Sequence, residues 1–533
     1  MIVIDILIKN GRIINGTGNP WFKGNIAIKD GKIMKVGHIS TSDAKRIIDV
    51  ERLIVAPGFI DIHSHSDIVW LERPTADEKV LQGVTTELIG QCGFSVAPIK
   101  EKCKEEYRQL VIGVLGNSDV EWNWNTLAEY LAVFELQGIA VNIASSVGHG
   151  VIRFCTMGMD NRPPTNSEIE EMKQSVAKCF NDGAFAFSTG LIYPPLTFAS
   201  TEEIIELCKV VKSYNGFLSI HMRNESDKVI ESIHEVIKIG KETGIPIEIS
   251  HFKAAGKQNW GKVTQTLKLV EDARAIDIDI TVDQYPYTAG STTLTAILPP
   301  WVHVGGKEKL IQRLKDQETR EQIKKEIKEG NDWDNYAKAS GWDGILITSV
   351  KTDQNKDLEG KTLSEIAEMQ GTNDPAETAF NLLIEEDAAV SMVLFFMDED
   401  DVKTVMKHQV QMVGTDSIII GKYHPRAIAS YPKILKQYVR ENAVLTLPEA
   451  IRKMTSLPAQ KIGLQDRGLL LSGFAADLTI FDATEINDIA TYNNPLQFPK
   501  GIKFVIVNGE LVVEEGKHTR TLPGRILRRT DYL

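Results

Sequence analysis

The sequence contains few cysteines, and those it has are isolated. Of 533 residues only five are cysteine, and no two of them form a CxxC pair. An odd number of widely spaced cysteines predicts neither a disulfide framework nor a zinc ribbon, and it suits a reducing compartment. We therefore expect a cytoplasmic protein. Four of the five are interpreted as small buried apolar residues, namely Cys103, Cys155, Cys179 and Cys208.

Long apolar runs and an excess of basic residues are also missing. No stretch approaches the ~20 apolar residues of a membrane-spanning helix. The N-terminus, MIVIDILIKNGRI, alternates apolar and polar residues where a signal peptide would need an unbroken apolar run. The formal net charge of −12 disfavours nucleic acid and anionic membranes as partners. We expect a small-molecule partner, and the oligomeric state stays open.

The two ends of the chain share a β-rich pattern. Short alternating segments are separated by Asn10-Gly11 and Asp30-Gly31 near the N-terminus and by Asn508-Gly509 near the C-terminus. Asn-Gly and Asp-Gly between alternating residues indicate β-hairpins. We therefore predict one small β-sandwich domain that is built from residues 1–55 and 470–533.

The middle of the chain, residues 56–469, alternates apolar runs with amphipathic stretches. Such alternation predicts parallel strands connected by helices, and eight of them fit a closed (β/α)8 barrel, the TIM-type α/β fold. The long gap before the last strand predicts a lid-like insertion on the catalytic face, at about residues 292–345. The eight predicted strands lie at residues 59–62, 86–89, 140–144, 184–187, 217–220, 247–249, 278–282 and 412–413.

Ligand-type residues follow four of these strands. His63 and His65 lie two residues apart in GFIDIHSH, so they face the same side of an extended strand. His221 ends FLSIH, His251 follows IEIS, and Asp416 follows the last strand. Because the C-terminal ends of barrel strands converge, we expect these side chains to meet. A divalent metal accommodates such neutral imidazoles, which would otherwise be crowded and poorly solvated.

Cys92, in GQCG, follows the second strand and faces the same mouth of the barrel. A thiolate there favours Zn²⁺ over Mg²⁺ or Ca²⁺. A catalytic nucleophile is the alternative, because a nearby histidine can activate a cysteine. That alternative leaves the gathered histidines without a role, so metal ligation is the preferred interpretation. His149, after the third strand, is interpreted as a structural loop histidine.

Taken together, these motifs resemble the amidohydrolase superfamily, and within it the D-aminoacylases, which are N-acyl-D-amino-acid deacylases. The HxH motif marks only the superfamily, whereas the cysteine is more discriminating. The cyclic-amide hydrolases of the superfamily bridge two metals with a carboxylated lysine on the fourth strand, where this sequence reads AFAFSTGL. The resemblance runs over nearly the whole chain and rests on GFIDIHSH, GQCG, IHMRNE, ISHFKAAG, DQYPYTAGST, GTDS and HPR.

The resemblance implies zinc-dependent hydrolysis of the amide bond of N-acyl-D-amino acids. It makes Asp416 the general base that takes a proton from the attacking water and passes it to the leaving nitrogen. The zinc ligands that it implies are Cys92, His221 and His251 for a tightly bound ion, with His63 and His65 beside a second, weaker position.

The carboxylate of such a substrate needs a cation in the pocket. Arg426, in KYHPR after the last strand, suits a planar two-point contact with a carboxylate. Lys253 lies two residues beyond a ligand-type histidine and points to the same side. The family pattern adds Tyr285, Ser291 and Tyr193 to the same pocket.

One departure from the family pattern and one apolar loop concern the substrate. The family usually reads SDG at the catalytic aspartate, whereas this chain reads Thr415-Asp416-Ser417. The loop 294–301, LTAILPPW, is apolar where relatives that act on acidic substrates would be expected to carry an arginine. We therefore predict a preference for hydrophobic side chains such as those of leucine, methionine or phenylalanine. Hydrolysis of a cyclic amide, or of another small amide or lactone, is the alternative; an inactive scaffold is a remote one.

Overall fold

Eight parallel strands form the centre of the computed structural model, which describes residues 3–39, 43–330 and 332–532. Each strand pairs with the next along the chain. A parallel bridge between Ser64 and Ser417 links the segments that follow the first and last strands, so the barrel is nearly closed. All eight predicted strands are confirmed. They are β1 Phe59–Asp61, β2 Val84–Ile89, β3 Asn142–Gly148, β4 Ala186–Gly190, β5 Phe217–His221, β6 Ile247–Ile249, β7 Ile280–Gln284 and β8 Gln411–Val413.

Amphipathic helices connect the strands. Val229–Thr243, for example, buries Ile233, Val236 and Ile239 along one face and ends at Gly244, whose φ of 64° suits glycine. Apart from the five helices of the insertion described below, the helices before β8 are Val69–Glu72, Asp77–Val80, Lys104–Leu115, Leu127–Gln137, His149–Met157, Asn166–Asn181, Thr201–Ser213, Val229–Thr243, Val263–Arg274 and Glu399–Lys407. After β8 come Arg426–Lys433, the π-helical Ile434–Glu441, Leu447–Met454 and Ser456–Ile462.

Both ends of the chain form one β domain, as predicted. Ile54–Pro57, from the N-terminal part, pairs with Leu478–Phe481, from the C-terminal part, within one nine-stranded sheet. Buried aliphatic residues from both ends make its core. The strands are Ile4–Ile13, Phe22–Lys29, Lys32–Gly37, Ala44–Asp49, Ile54–Pro57, Leu478–Phe481, Ile502–Val507, Glu510–Glu514 and Lys517–His518.

The last residues of the chain leave this sheet and run along the barrel. Gly524 N donates to Ile139 O at 2.7 Å, and Leu527 N donates to Ile143 O at 2.8 Å. A Cβ on Gly524 would lie 2.1 Å from Val141 O, so only glycine allows this approach. The C-terminal segment therefore contacts the barrel as well as the β domain. The domain boundaries drawn from the sequence stay predictions.

The segment between β7 and β8 is the lid-like insertion expected from the sequence. It supplies Tyr336, Leu394 and Phe396 to a pocket at the C-terminal ends of the barrel strands. Asp316 separates two charged helices of the insertion, Gly306–Lys315 and Gln317–Glu329. Its side chain caps the second of them by accepting a hydrogen bond from Thr319 N. The insertion contains an antiparallel sheet of Ala289–Thr293, Ser391–Phe395 and Ile345–Ser349, and the helices Gly306–Lys315, Gln317–Glu329, Tyr336–Ser340, Leu363–Met369 and Pro375–Glu385.

Cys103 and Cys155 form a disulfide, so the expectation that they are isolated thiols is wrong. They are 52 positions apart, but they lie in the segments that follow β2 and β3, and adjacent strands bring their Cα atoms to 5.8 Å. Sequence spacing does not reveal this closeness. Disulfides are rare in cytosolic proteins, so the cysteines no longer support the cytoplasmic location, which stays a prediction. None of the helices in the described part of the chain has the length and apolar character of a membrane span.

Candidate metal centre and active site

The five predicted metal ligands meet at the C-terminal mouth of the barrel. His63 and His65 follow β1, Cys92 follows β2, His221 ends β5 and His251 follows β6. The Cys92 Sγ lies 3.4 Å from His63 Nε2 and 3.4 Å from His251 Nε2. The ring centroids of His221 and His251 are 4.3 Å apart. All five side chains are buried, so the barrel gathers them away from bulk water.

These side chains form two overlapping groups of three. The ligand atoms of Cys92, His221 and His251 lie within 4.8 Å of one another, and so do those of His63, His65 and Cys92. A thiolate and neutral imidazoles are the donors that zinc prefers in proteins. The geometry therefore offers two adjacent positions, each with one sulfur and two nitrogens, that share the Cys92 sulfur.

Carboxylates orient two of the histidines from behind. Asp283 Oδ2 lies 2.8 Å from His63 Nδ1, and Glu225 Oε1 lies 2.9 Å from His251 Nδ1. A histidine that donates its Nδ1–H to a carboxylate keeps its Nε2 lone pair for a metal. Both Nε2 atoms are the ones that approach Cys92. These two carboxylates thus favour the tautomer with the hydrogen on Nδ1, which is the one that metal binding through Nε2 requires.

Backbone strain marks three of the strand ends. The φ angles of Cys92, His251 and Asp416 are 52°, 36° and 49°. A residue with a Cβ in such a conformation costs about 1–3 kcal/mol and persists only where its surroundings fix it. Here His251 N donates to Asp283 Oδ1 at 2.9 Å, and Asp416 N donates to His63 O at 2.8 Å. The strained backbone is therefore held in place by the same residues that shape the site.

Burial keeps the imidazoles in the form that binds metal. It lowers the pKa of His221 and of His251 well below the ordinary histidine value. The Nδ1 atoms of His65 and His221 are buried and have no hydrogen-bond partner among the residues that the structure describes. Burial also raises the pKa of the Cys92 thiol, so a thiolate there requires a neighbouring cation. Neutral imidazoles, unpartnered ring nitrogens and a thiol that needs a cation together fit a zinc ion.

Asp416 lies between the histidines and a buried arginine. Its Oδ1 is 3.1 Å from His65 Nε2 and 3.5 Å from His63 Nε2, and its Oδ2 is 2.8 Å from Arg426 Nη1. Burial opposes its ionisation, but the Arg426 charge, His63 and the hydrogen bond with His65 hold the pKa of this carboxyl well below its usual range. Asp416 is therefore an ionised carboxylate beside the ligand cluster, which is the position of a proton acceptor.

The predicted substrate-binding residues line the same pocket. Arg426 is fully buried, its guanidinium lies 4.5 Å from the centre of the Tyr285 ring, and its Nη2 donates to Ser291 O at 3.2 Å. The hydroxyl of Tyr193 is 2.9 Å from Thr292 Oγ1. The Arg426 Nε has no hydrogen-bond partner within the described part of the chain. A buried guanidinium with an unused N–H is suited to a substrate carboxylate.

Lys253 is bound to the protein more completely than its predicted role suggests. Its Nζ lies 2.7 and 2.8 Å from the two Glu225 oxygens and 2.7 Å from His251 Nδ1. The two Glu225 oxygens accept hydrogen bonds from this ammonium, whereas His251 Nδ1 already donates its own hydrogen to Glu225 and is not an acceptor for it. Arg426 is therefore the better-placed cation for a substrate anion, while Lys253 neutralises Glu225 behind His251.

Comparison with known proteins identifies the family. A model described as "Amidohydrolase family" matches residues 46–513. The chain belongs to this family. It is 32% identical to a D-aminoacylase of Alcaligenes xylosoxydans xylosoxydans, over 99% of this chain and 98% of that protein. It is 34% identical to an N-acyl-D-glutamate deacylase of the same organism, over 99% of this chain and 97% of that protein.

A solved structure matches this amidohydrolase over its whole length. The N-acyl-D-glutamate deacylase of Bordetella bronchiseptica, crystallised with zinc and a phosphonate inhibitor, has a TM-score of 0.84. The match has 31% sequence identity and covers 99% of this chain and 100% of that chain. The arrangement of barrel, β domain and insertion is therefore shared with an enzyme of the family.

In this amidohydrolase a buried lysine contacts the residues on both sides of Asp416, where the sequence departs from SDG. The Nζ of Lys79, whose side chain is fully buried, donates to Ser417 Oγ at 2.8 Å and to Thr415 Oγ1 at 3.0 Å, and it pairs with Asp61. The two hydroxyl residues therefore satisfy an ammonium beneath the metal centre. Sequence analysis missed Lys79 because it lies in the helix Asp77–Val80, outside every motif.

Other residues of the site were also missed from the sequence. Glu225 and Asp283 stand in the quoted motifs IHMRNE and DQYPYTAGST, where an acidic residue after a strand was an available signal. Tyr336 comes from the insertion, in which no sequence motif was recognised, and its hydroxyl lies 3.4 Å from His221 Nε2. His149 belongs to none of the ligand groups and is hydrogen-bonded to Glu203 at 2.9 Å.

Part of the pocket wall is apolar. Among the described residues that line it, Arg426 and Lys253 are the only arginine and lysine. The apolar loop 294–301 contributes instead to a neighbouring cavity of about 230 Å³ through Ala296, Leu298 and Pro300. The apolar residues of the metal pocket itself are Phe94, Val114, Leu394, Phe396 and Ile418.

Proposed function

We propose that this amidohydrolase uses zinc to hydrolyse the amide bond of N-acyl-D-amino acids, giving a carboxylate and a free D-amino acid. The observation that carries the proposal is the meeting of Cys92 and the four histidines beside an ionised Asp416 and a buried Arg426 in one pocket. The full-length likeness to a D-aminoacylase and an N-acyl-D-glutamate deacylase supports both the reaction and the D configuration.

The metal ligands would divide between two positions. Zinc bound there polarises the scissile carbonyl and makes water acidic enough to attack it at neutral pH. The tight position would be held by Cys92, His221 and His251, and the weaker one would lie beside His63 and His65.

Asp416 would move the proton. Its carboxylate lies beside the ligand cluster and is held ionised by Arg426, so it can accept a proton from the attacking water. As the C–N bond breaks, the same carboxyl returns the proton to the nitrogen, which leaves as a neutral amine. One carboxylate thereby assists both addition and departure.

Arg426 would bind the carboxylate of the substrate. The side chain is held by Tyr285 and Ser291, and its free Nε faces no protein acceptor in the described chain. Holding the substrate at this end places its amide between the arginine and the metal ligands. Tyr193 and Lys253 contribute to the shape of the pocket and to its charge balance.

The apolar part of the pocket wall supports a preference for uncharged substrate side chains. A third cation would be needed to bind an acidic side chain, and none lines the described part of the pocket. We therefore expect N-acyl derivatives of D-leucine, D-methionine and D-phenylalanine to be better substrates than those of D-glutamate and D-aspartate.

Elemental analysis together with a panel of N-acetyl D- and L-amino acids tests the proposal. We expect one tightly bound zinc per chain and turnover of the D series. Higher activity towards N-acetyl-D-glutamate would contradict only the preference for apolar side chains. Turnover of hydantoin or dihydroorotate, with none of any N-acetyl-amino acid, would overturn the function and favour the cyclic-amide alternative.

A further inference from the structure

A second cavity lies at the opposite end of the barrel. It has a volume of about 460 Å³ and is lined by residues at or just before the N-terminal ends of four strands, including Phe217, Pro246, Asp279 and Val410. The metal ligands follow the other ends of the strands, so this cavity is separate from the active site. Pockets for small molecules span about 300–1,000 Å³, so its size suits a small ligand.

Positive charge is concentrated around this cavity. Its lining includes four cations, Lys461, Arg274, Arg452 and Arg529, and one carboxylate, Asp279. The chain as a whole has a net charge of −12, so the local excess of positive charge runs against its composition. A concave surface lined by charge of one sign attracts a small ion of the opposite sign.

The protein does not balance this charge. Asp279 Oδ1 lies 3.2 Å from Arg274 Nη1 and 3.5 Å from Lys461 Nζ, so one carboxylate serves two cations. Arg452 donates to a backbone carbonyl at 2.9 Å and Arg529 to another at 3.1 Å. Within the described residues, neither of these two arginines has an acidic partner closer than 4.0 Å.

Lys461 is buried and weakly bonded. Its side chain is 4% exposed, and its nearest acceptors are Asp279 O at 3.4 Å and Asp279 Oδ1 at 3.5 Å. Charge-assisted hydrogen bonds are normally about 2.7–2.9 Å long. Burial lowers the pKa of this ammonium to about 8. A buried charge with such poor partners is costly unless another ion joins it.

We propose that this cavity binds a small organic dianion, of the class of an aryl or alkyl phosphate. Lys461 and the arginines supply the charge, and arginine forks match the oxygens of a phosphate. Phe217, with its ring 5.9 Å from Lys461 Nζ, and Leu457 supply an apolar surface for the organic part. The excess of cations over carboxylates sets the preference for two negative charges over one.

Calorimetric titration of the zinc-loaded protein with phenyl phosphate tests the proposal. We expect saturable binding that weakens at least tenfold in both Lys461→Met and Arg452→Gln, while the exposed-residue control Lys500→Met binds like the parent protein. Phenol, which has the ring without the charge, should not bind. Turnover of N-acetyl-D-leucine should be unchanged, because both variants leave the metal pocket intact.

Two outcomes overturn the proposal. One is the absence of saturable binding, and the other is equal affinity in the parent and in both variants, which would place the phosphate at the metal centre. If Lys461→Met fails to fold, Arg452→Gln decides the matter alone, because Arg452 is only half-buried and its side chain donates to a backbone oxygen, that of Gln409.

Discussion

The two ends of the barrel handle buried charge in opposite ways. At the C-terminal end each cation of the pocket has its own carboxylate: Lys253 contacts Glu225 at 2.7 Å, and Arg426 contacts Asp416 at 2.8 Å. At the N-terminal end four cations line a cavity in which Asp279 is the one acid among the described residues. The first site is built around its own internal charge balance, whereas the second is left with charge for a ligand to neutralise.

Asparagine in place of Asp416 gives the largest expected effect. The loss of the proton acceptor should lower kcat by about 10²–10⁴-fold. Zinc content should be retained, because Cys92, His221 and His251 are unchanged. Steady-state kinetics and elemental analysis of the same sample separate the two effects. Full activity would remove Asp416 from the mechanism, and loss of zinc would make it a ligand instead.

Lysine in place of Arg426 tests whether this arginine binds the carboxylate of the substrate in the metal pocket. The charge remains, but the two-point contact is lost, so kcat/KM for N-acetyl-D-leucine should fall by about 10–100-fold. N-isopentylacetamide, the same amide without the carboxylate, is the matched control and should be hydrolysed equally slowly by both proteins. An equal fall for both substrates would show that Arg426 acts through Asp416 and not through the substrate.

The strands, and the residues that we predict to bind metal, could be recognised in the sequence because both are local patterns. Each barrel strand is a short apolar run, and the ligands stand next to such runs, as in the His63–His65 pair. Asp283 and Glu225 were within reach of the same reasoning, since Asp283 lies near the end of β7 and Glu225 follows β5. Their function became clear only when the fold placed them behind His63 and His251.

Contacts between distant segments could not be predicted in this way. The disulfide joins two residues that are 52 positions apart, and nothing in the spacing distinguishes them from free cysteines. In the sequence Lys79 looks like an ordinary helix residue, and only the fold shows that it is buried and paired with Asp61. The cations of the N-terminal cavity run from Arg274 to Arg529, each in a segment that reads as unremarkable surface. Such features depend on which strands are neighbours, and a single sequence does not state this.

Replacement of the two carboxylates that orient the histidines should lower the metal affinity of one position in one variant and of the other position in the other variant. Asp283→Asn weakens the support of His63, so metal affinity of the second position should fall by about 10–100-fold. Glu225→Gln weakens the support of His251 and should lower affinity at the tight position by a similar factor. Zinc titration of both variants gives the comparison. Identical losses in the two would mean that the metals are not bound by separate groups.

The pH dependence of the free energy of unfolding tests whether Lys461, at the N-terminal cavity, is a buried cation without a close partner. The pKa of Lys461 is lowered to about 8 in the folded protein, whereas it is about 10.4 in an unfolded chain. Between these values the unfolded chain binds more protons, so the free energy of unfolding rises with pH as the buried ammonium is neutralised. Lys461→Met lacks this group, and the stability difference between the two proteins should change by about 1 kcal/mol from pH 7 to pH 9.

Phenyl phosphate should suppress that change, because a bound dianion stabilises the charged ammonium and restores its affinity for a proton. Denaturant unfolding at both pH values, with and without the phosphate, measures the effect. A pH-independent difference would mean that the side chain reaches water or an acid in solution. Lys461 would then not be a buried cation with poor partners, and the contrast between the two ends of the barrel would rest on the three arginines alone.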